Sequence, residues 1–170
     1  ECARKNGIKV LITDHHLPGR ELPNADVIIN PQLADDRFPS KNLAGVGVIF
    51  YILLALRAKL KEKNWFKNNN INYPNLANFL DLVALGTIAD LVPLDKNNRT
   101  MVAHGLKLIK KNKSKPGINA LLNQAGRQLN KLTSSDLSFA VAPRLNAAGR
   151  LTDMSLGIEC LLADDEDNAI

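Results

Sequence analysis

The sequence predicts an α/β fold, a short parallel sheet with many surrounding helices. Three observations carry it. Residues 8–13 form a β-branched run, apolar on both faces, as expected of a strand buried in a parallel sheet. A basic helix tail ending at Gly7 precedes that run, giving the αβ half of a βαβ unit. Beyond residue 44 the apolar spacing is helical almost throughout.

The elements follow in order. Asp26-Val27-Ile28-Ile29 is a second short strand, ended by Asn30-Pro31. Residues 34–42 are a charged loop marked as irregular by Pro39 and Lys41. A long helix runs from about Ala44 to Lys63, with Val46, Ile49, Phe50, Leu53, Leu56 and Leu60 near helical spacing. Its opening, Ala44-Gly45-Val46-Gly47, lacks bulk and permits close approach of another element or a ligand. Residues 67–74 are an Asn-rich surface loop, after which Asn75 caps a helix running into Gly86-Thr87-Ile88-Ala89-Asp90. Pro93 ends it. An amphipathic helix carries Met101, Val102, Leu106 and Ile109, and a shorter helix follows Pro116-Gly117. Thr133-Ser134-Ser135-Asp136 caps the next helix. After Pro143 the stretch Arg144–Arg150 looks like a turn, and Asp153 caps a last helix with Leu156 and Leu161.

Composition narrows the class. At 170 residues, 45% hydrophobic and 23% charged, the chain is the size of one globular domain with a real core. A net charge of +5 favours an anionic partner. Cys2 and Cys160 lie far apart with no Cys-x-x-Cys spacing, which excludes a disulfide framework and a zinc knuckle and suggests free thiols in a reducing compartment. The apolar stretch Val46–Leu56 is too short to span a bilayer, and the expectation is a soluble, cytoplasmic protein. Both termini read as interrupted helices, so the chain is expected to be a fragment of a longer protein.

Asp14-His15-His16 stands at the carboxyl end of the first strand, where ligands bind in parallel sheets. Neutral imidazole with carboxylate suits Mn²⁺, Fe²⁺ or Zn²⁺, and a neighbouring carboxylate can instead fix the tautomer of the ring. A helix-capping aspartate followed by two surface histidines fits the triplet equally well. Asp90 is the one acid in the apolar stretch 82–94: a carboxylate buried there needs a cation, donors or a metal, and the alternative is an aspartate capping the next turn, exposed by the helix ending there. In Pro143-Arg144-Leu145-Asn146-Ala147-Ala148-Gly149-Arg150, two arginines flank an asparagine among small residues, a set suited to phosphate oxygens or to pairing with surface acids. Lys107, Lys110, Lys111, Lys113 and Lys115 read as a solvated helix face, and His104 as packed against the apolar stripe of that helix. Trp65 and Phe66 suit either base stacking or a hydrophobic helix end.

With "DHH" at 14–16, "LAGVGVIFYILLALR", "LDLVALGTIADLVPLDKNNR" and "PRLNAAGRLTDMS", the sequence resembles the DHH phosphoesterase superfamily, and within it the branch of exonucleases that degrade single-stranded DNA from the 5′ end. The resemblance covers nearly the whole chain. It implies a Mn²⁺- or Mg²⁺-dependent phosphodiesterase of DNA recombination and repair, with two cations about 4 Å apart serving in-line hydrolysis. Carried over by motif, His15 and Asp90 would be metal ligands, and the catalytic pair would be His16, by the scissile phosphate, and Asp14, supporting the histidine pair or approaching the metals. Arg144, Asn146 and Arg150 would bind substrate phosphate. Single-stranded DNA is the implied partner, and a single-stranded-DNA-binding protein a further one.

The resemblance also locates what is missing. The family's Asp-x-Asp motif, a further aspartate before the histidine pair and a second, glycine-rich lobe have no counterpart in these residues. Residues 1–155 then correspond to the C-terminal portion of the catalytic lobe, and 156–170 to the start of the helical connection to the second lobe. Such a chain holds about half of a two-metal site and is expected to be inactive alone. Two rivals stand beside this reading. One is another DHH phosphoesterase acting on short oligonucleotides or cyclic dinucleotides; the other is a non-catalytic DNA-binding relative.

Overall fold

The computed structural model describes residues 2–151, 153–165 and 169, without the side chains of 148–151. Helix α1 (Cys2–Lys5) ends in a Schellman turn: the amide of Ile8 donates to Ala3 O, that of Gly7 to Arg4 O, and Gly7 takes φ +71°. Strands β1 (Leu11–Thr13) and β2 (Val27–Ile29) pair in parallel, Leu11 with Val27 and Thr13 with Ile29. These strands are shorter and more open than the apolar run suggests. Ile8, Leu11 and Val27 are each at least half exposed, because among the described residues the sheet has two strands and few elements cover it.

Helix α2 (Gly45–Glu62) begins and ends where its apolar spacing predicts, with extended Ala44 before it and Lys63 after it. Short α3 (Trp65–Asn68) follows, Phe66 buried and Trp65 partly exposed, their rings edge to face. A 3₁₀ turn over Leu76–Phe79, capped by the Asn75 side chain on the Ala77 amide, leads into α4 (Leu80–Ala89). Asp95 caps α5 (Lys96–Lys110) on the Asn98 amide, and α6 (Pro116–Gln124) starts at its proline.

Close helix crossings are set by glycine. A Cβ on Gly105 of α5 would overlap the Leu80 carbonyl of α4, and one on Gly86 of α4 would stand 2.7 Å from Val46 of α2. These approaches bring α2, α4 and α5 into one body. Its core runs through Ala84, Val102, Ile109, Ile118, Leu122 and Leu137 on one side and Leu43, Val48, Phe50, Val83 and Met101 on the other.

The last region departs from expectation. Short α7 (Ser134–Asp136) opens with the capping box expected from its sequence, then a π-helical turn (Leu137–Val141) continues directly into α8 (Ala142–Leu151). Residues 144–150 are thus helical, not a turn. A proline ring inside an α-helix clashes with the carbonyl four residues back, here Phe139. The wide turn, in which the Ala142 amide donates to Leu137 O, lets the chain pass through Pro143 without breaking. Helix α9 (Ser155–Leu162) follows, with Asp153 accepting from the Ser155 amide and hydroxyl.

Candidate metal centre at the sheet edge

Past Thr13 the ladder continues for one bond, the Asp14 amide donating to Ile29 O at 3.0 Å. The Asp14 carboxylate then turns the chain. Its Oδ1 accepts from the His15 amide at 2.7 Å, the His16 amide at 3.1 Å and the His16 ring Nδ1 at 2.8 Å. The ring bond from His16, followed by the two amide bonds, lowers the Asp14 pKa to about 2. Asp14 is therefore a fixed negative charge that orients His16. Donation from Nδ1 leaves Nε2 of that ring facing outward, and the His16 side chain is 75% exposed.

His15 turns the other way. Its ring, 4.1 Å from that of His16 between centroids, lies against Gly45 at the start of α2, where a Cβ would meet Cδ2 at 3.5 Å. This is the close approach that the small residues at 44–47 were expected to allow. The ring's Nε2 faces Asp90 Oδ2 at 3.4 Å. Asp90 itself caps the C-terminus of α4, its amide donating to Gly86 O. It is exposed, as the reading of a helix-ending aspartate expects, and not enclosed in the apolar run: its side chain is 39% exposed, because the helix ends there and the chain reverses at Leu91 with φ +57°.

Two donors about 2.1 Å from one shared ion lie roughly 3.0–3.4 Å apart. The imidazole nitrogen and carboxylate oxygen have that spacing, and both donor types suit a first-row divalent cation. Among the described residues no group of three or more His, Cys, Asp or Glu could hold a metal. The donor set fits part of a metal site.

One positioning residue escaped the sequence reading. Asn30, buried at the end of β2, donates from Nδ2 to His16 O at 2.8 Å and accepts from the Gln32 amide at 2.9 Å. It ties the histidine loop to the neighbouring strand. The signal was present in an amide side chain ending a parallel strand beside the triplet.

The other predicted residues are spread wider. Asn146 lines an apolar groove of about 390 Å³ together with Gly86 and Ala89, one residue from Asp90. Arg144 donates from Nη1 to Ala140 O at 2.6 Å, bracing the π turn. The Arg150 side chain lies outside the described residues. His104 is exposed, not packed, and lines a shallow hollow with Lys107, Lys111 and Lys113. It stands one residue before Gly105, on the flank that the α4 crossing leaves open.

A parallel strand pair ending in a histidine–carboxylate cluster, completed by a second carboxylate from a helix end, defines an α/β protein with a metal-type site at the sheet's carboxyl edge. Residues 1–87 match the model of the DHH family, N-terminal domain, and the chain belongs to that family. It is 59% identical over 165 residues to "Single-stranded-DNA-specific exonuclease RecJ" of Escherichia coli (strain K12), covering 97% of this chain and 29% of the relative. Against the protein of that description from Thermus thermophilus it is 34% identical over 161 residues, 95% of this chain and 22% of the relative. Its structure is similar to "Crystal structure of exonuclease RecJ bound to manganese", with a TM-score of 0.77 at 34% identity over 98% of this chain and 39% of that one. A crystal structure of the Thermus thermophilus RecJ in complex with Mn²⁺ aligns with a TM-score of 0.74 at 32% identity over 97% of this chain and 23% of that one. The chain spans less than a third of the curated relatives it matches.

Proposed function

We propose that the chain is part of the catalytic lobe of a metal-dependent exonuclease hydrolysing single-stranded DNA from the 5′ end, in recombination and repair. The facing of His15 Nε2 and Asp90 Oδ2 carries this reading, because two side chains distant in sequence present donor atoms at ligand spacing. Similarity to the RecJ exonucleases, solved with Mn²⁺ and Mg²⁺, supports it. Residues 1–155 belong to that lobe, and 156–170 begin the connection to a second one. Both cysteines are free, which suits a cytoplasmic setting, and no described helix is long and apolar enough to cross a membrane.

His15 and Asp90 would hold Mn²⁺ or Mg²⁺, which when bound activates water and offsets charge on the phosphodiester. His16, steered by ionised Asp14, presents its outer nitrogen where a phosphate oxygen would lie. Asn30 keeps that loop on the sheet edge. Asn146, Arg150 and Arg144 would meet backbone phosphates. With two facing donors among the described residues, the 170-residue chain by itself is expected not to cut.

The test is cleavage of 5′-labelled single- and double-stranded DNA by the intact gene product, with Mn²⁺ and with chelator. Metal-dependent release from single strands is expected, reduced at least roughly 100-fold in His15→Ala and Asp90→Asn, with unchanged thermal midpoints. Metal-independent binding of DNA without cleavage overturns the reading.

A further inference from the structure

A hollow of about 250 Å³ lies between the end of α4 and the π turn, bounded by Thr87, Leu91, Ser134, Ser135, Ser138 and Phe139 among others. None of the roles assigned above uses it. We propose that it is a nucleobase subsite, in which one base of the single strand stacks on Phe139 and meets the hydroxyls of Thr87 and the three serines. The inference rests on the exonuclease reading for its substrate and adds where a base is held.

Four observations converge. Thr87 is 1% exposed, lines the hollow, and its Oγ1 has no hydrogen-bond partner among the described residues. A buried hydroxyl left without a partner is costly, so a polar edge drawn into the hollow against Thr87 would relieve that cost. On the rim, Phe139 is 77% and Leu91 79% exposed, the ring carried outward by the wide turn that accommodates Pro143. Leu91 also holds a left-handed conformation. Every other non-glycine with positive φ among the described residues is an asparagine, the residue type that tolerates it. A leucine kept there under strain, in the position after Asp90, is placed for contact with something outside the helix.

Chemistry selects the base over the phosphate. No lining side chain is charged, so an anion finds no counter-charge there, whereas hydroxyls both donate and accept and suit any base edge. The volume is below the roughly 300–1,000 Å³ of pockets that enclose a whole ligand, and fits one ring system. Aromatic stacking without a fixed donor pattern is the sequence-tolerant way to hold single strands. Position agrees: Leu91 follows the proposed ligand Asp90, and the π turn runs straight into the helix bearing Arg144 and Asn146.

The experiment uses the intact protein in chelator, so that strands stay whole, with 2-aminopurine placed at successive positions from the 5′ end of an oligodeoxynucleotide. Fluorescence quenching confined to one or two positions is expected, lost in Phe139→Ala and kept in Phe139→Tyr. Phe139→Ala should weaken binding roughly 5- to 150-fold. An abasic nucleotide at the quenched position should abolish the difference between the two proteins, a coupling that a merely structural role would not produce. Thr87→Val, isosteric without the hydroxyl, should weaken binding of the intact strand and leave the abasic one unaffected. Uniform quenching, or equal binding by wild type and Phe139→Ala, overturns the subsite. If the wild type cuts single strands while the probe stays flat, the subsite alone fails; if it neither cuts nor binds them, the exonuclease reading fails and the subsite with it.

Discussion

The two halves of the candidate site are held in opposite ways. Asp90 ends a helix locked in a crossing so tight that only glycine fits opposite Leu80, whereas His15 and His16 follow a strand that, among the described residues, pairs with one neighbour. On the helical side position is fixed by packing, over which a side chain has no freedom. On the strand side position is fixed by hydrogen bonds converging on two groups, the Asp14 carboxylate and the Asn30 amide. A site at such a seam joins a rigid anchor to an adjustable arm. Changes on the two sides should therefore have different consequences: stability on one, geometry on the other.

The largest expected effect breaks the rigid half. Gly105→Ala places a methyl on the Leu80 carbonyl oxygen, where backbone has to move. A loss of about 3 kcal/mol or more is expected despite alanine's better helix propensity. A urea denaturation midpoint equal to wild type would show that α4 and α5 can slide apart freely, and the anchor would not be rigid.

Next in size is Asp81, the carboxylate that is fully buried, as distinct from Asp90, which is not. Its Oδ2 accepts from the Lys115 amide at 2.6 Å, joining α4 to the start of α6, and its Oδ1 accepts from the Leu82 amide at 2.7 Å. Asp81→Ala leaves both amides without that acceptor and should cost about 2–3 kcal/mol by denaturation. Asp90→Asn should leave the same midpoint within about 0.5 kcal/mol. Equal losses in the two variants would erase the division between scaffold and site.

These contrasts show what could be read in advance. Element ends were legible wherever a local bond decides them, as at Asn75, at the Thr133–Asp136 capping box and at the glycine start of α2. The triplet at a strand's carboxyl end was legible too, because parallel sheets leave ligands one place to bind. Burial was not. Asp90 sits in an apolar run yet faces outward, and Asp81, one residue before the run, is the one enclosed, since exposure depends on which face of α4 meets α5. The helix through Pro143 was illegible for a different reason. A proline normally ends a helix, and the π turn that lets it continue has no side-chain signature of its own.

A smaller effect with a defined pH dependence comes from Asp136. Bonds from the Thr133 amide and then the Thr133 hydroxyl, both at 2.8 Å to Oδ2, hold its pKa below the ordinary carboxylate value. The folded pKa is the lower one, so the stabilisation is present in full above the unfolded value and is lost as pH falls through the folded one. Asp136→Asn should cost about 1 kcal/mol at neutral pH. The gap from wild type should shrink once pH drops below roughly 3.9. A gap that persists in acid would mean that the asparagine disturbs packing of the π turn and not the cap.

Gly45 has the smallest expected effect and sits on the seam itself. A Cβ there would meet His15 Cδ2 at 3.5 Å, an ordinary contact, so Gly45→Ala should fold with a midpoint within about 0.5 kcal/mol of wild type. A methyl that merely touches the ring narrows its freedom without displacing it. If the arm needs only to hold His15 where it stands, metal-dependent cleavage by the intact protein should persist within about threefold. If the ring has to swing toward α2 as substrate enters, the methyl blocks that path. The rate would then fall while stability stays put, and the adjustable half would be shown to move in use.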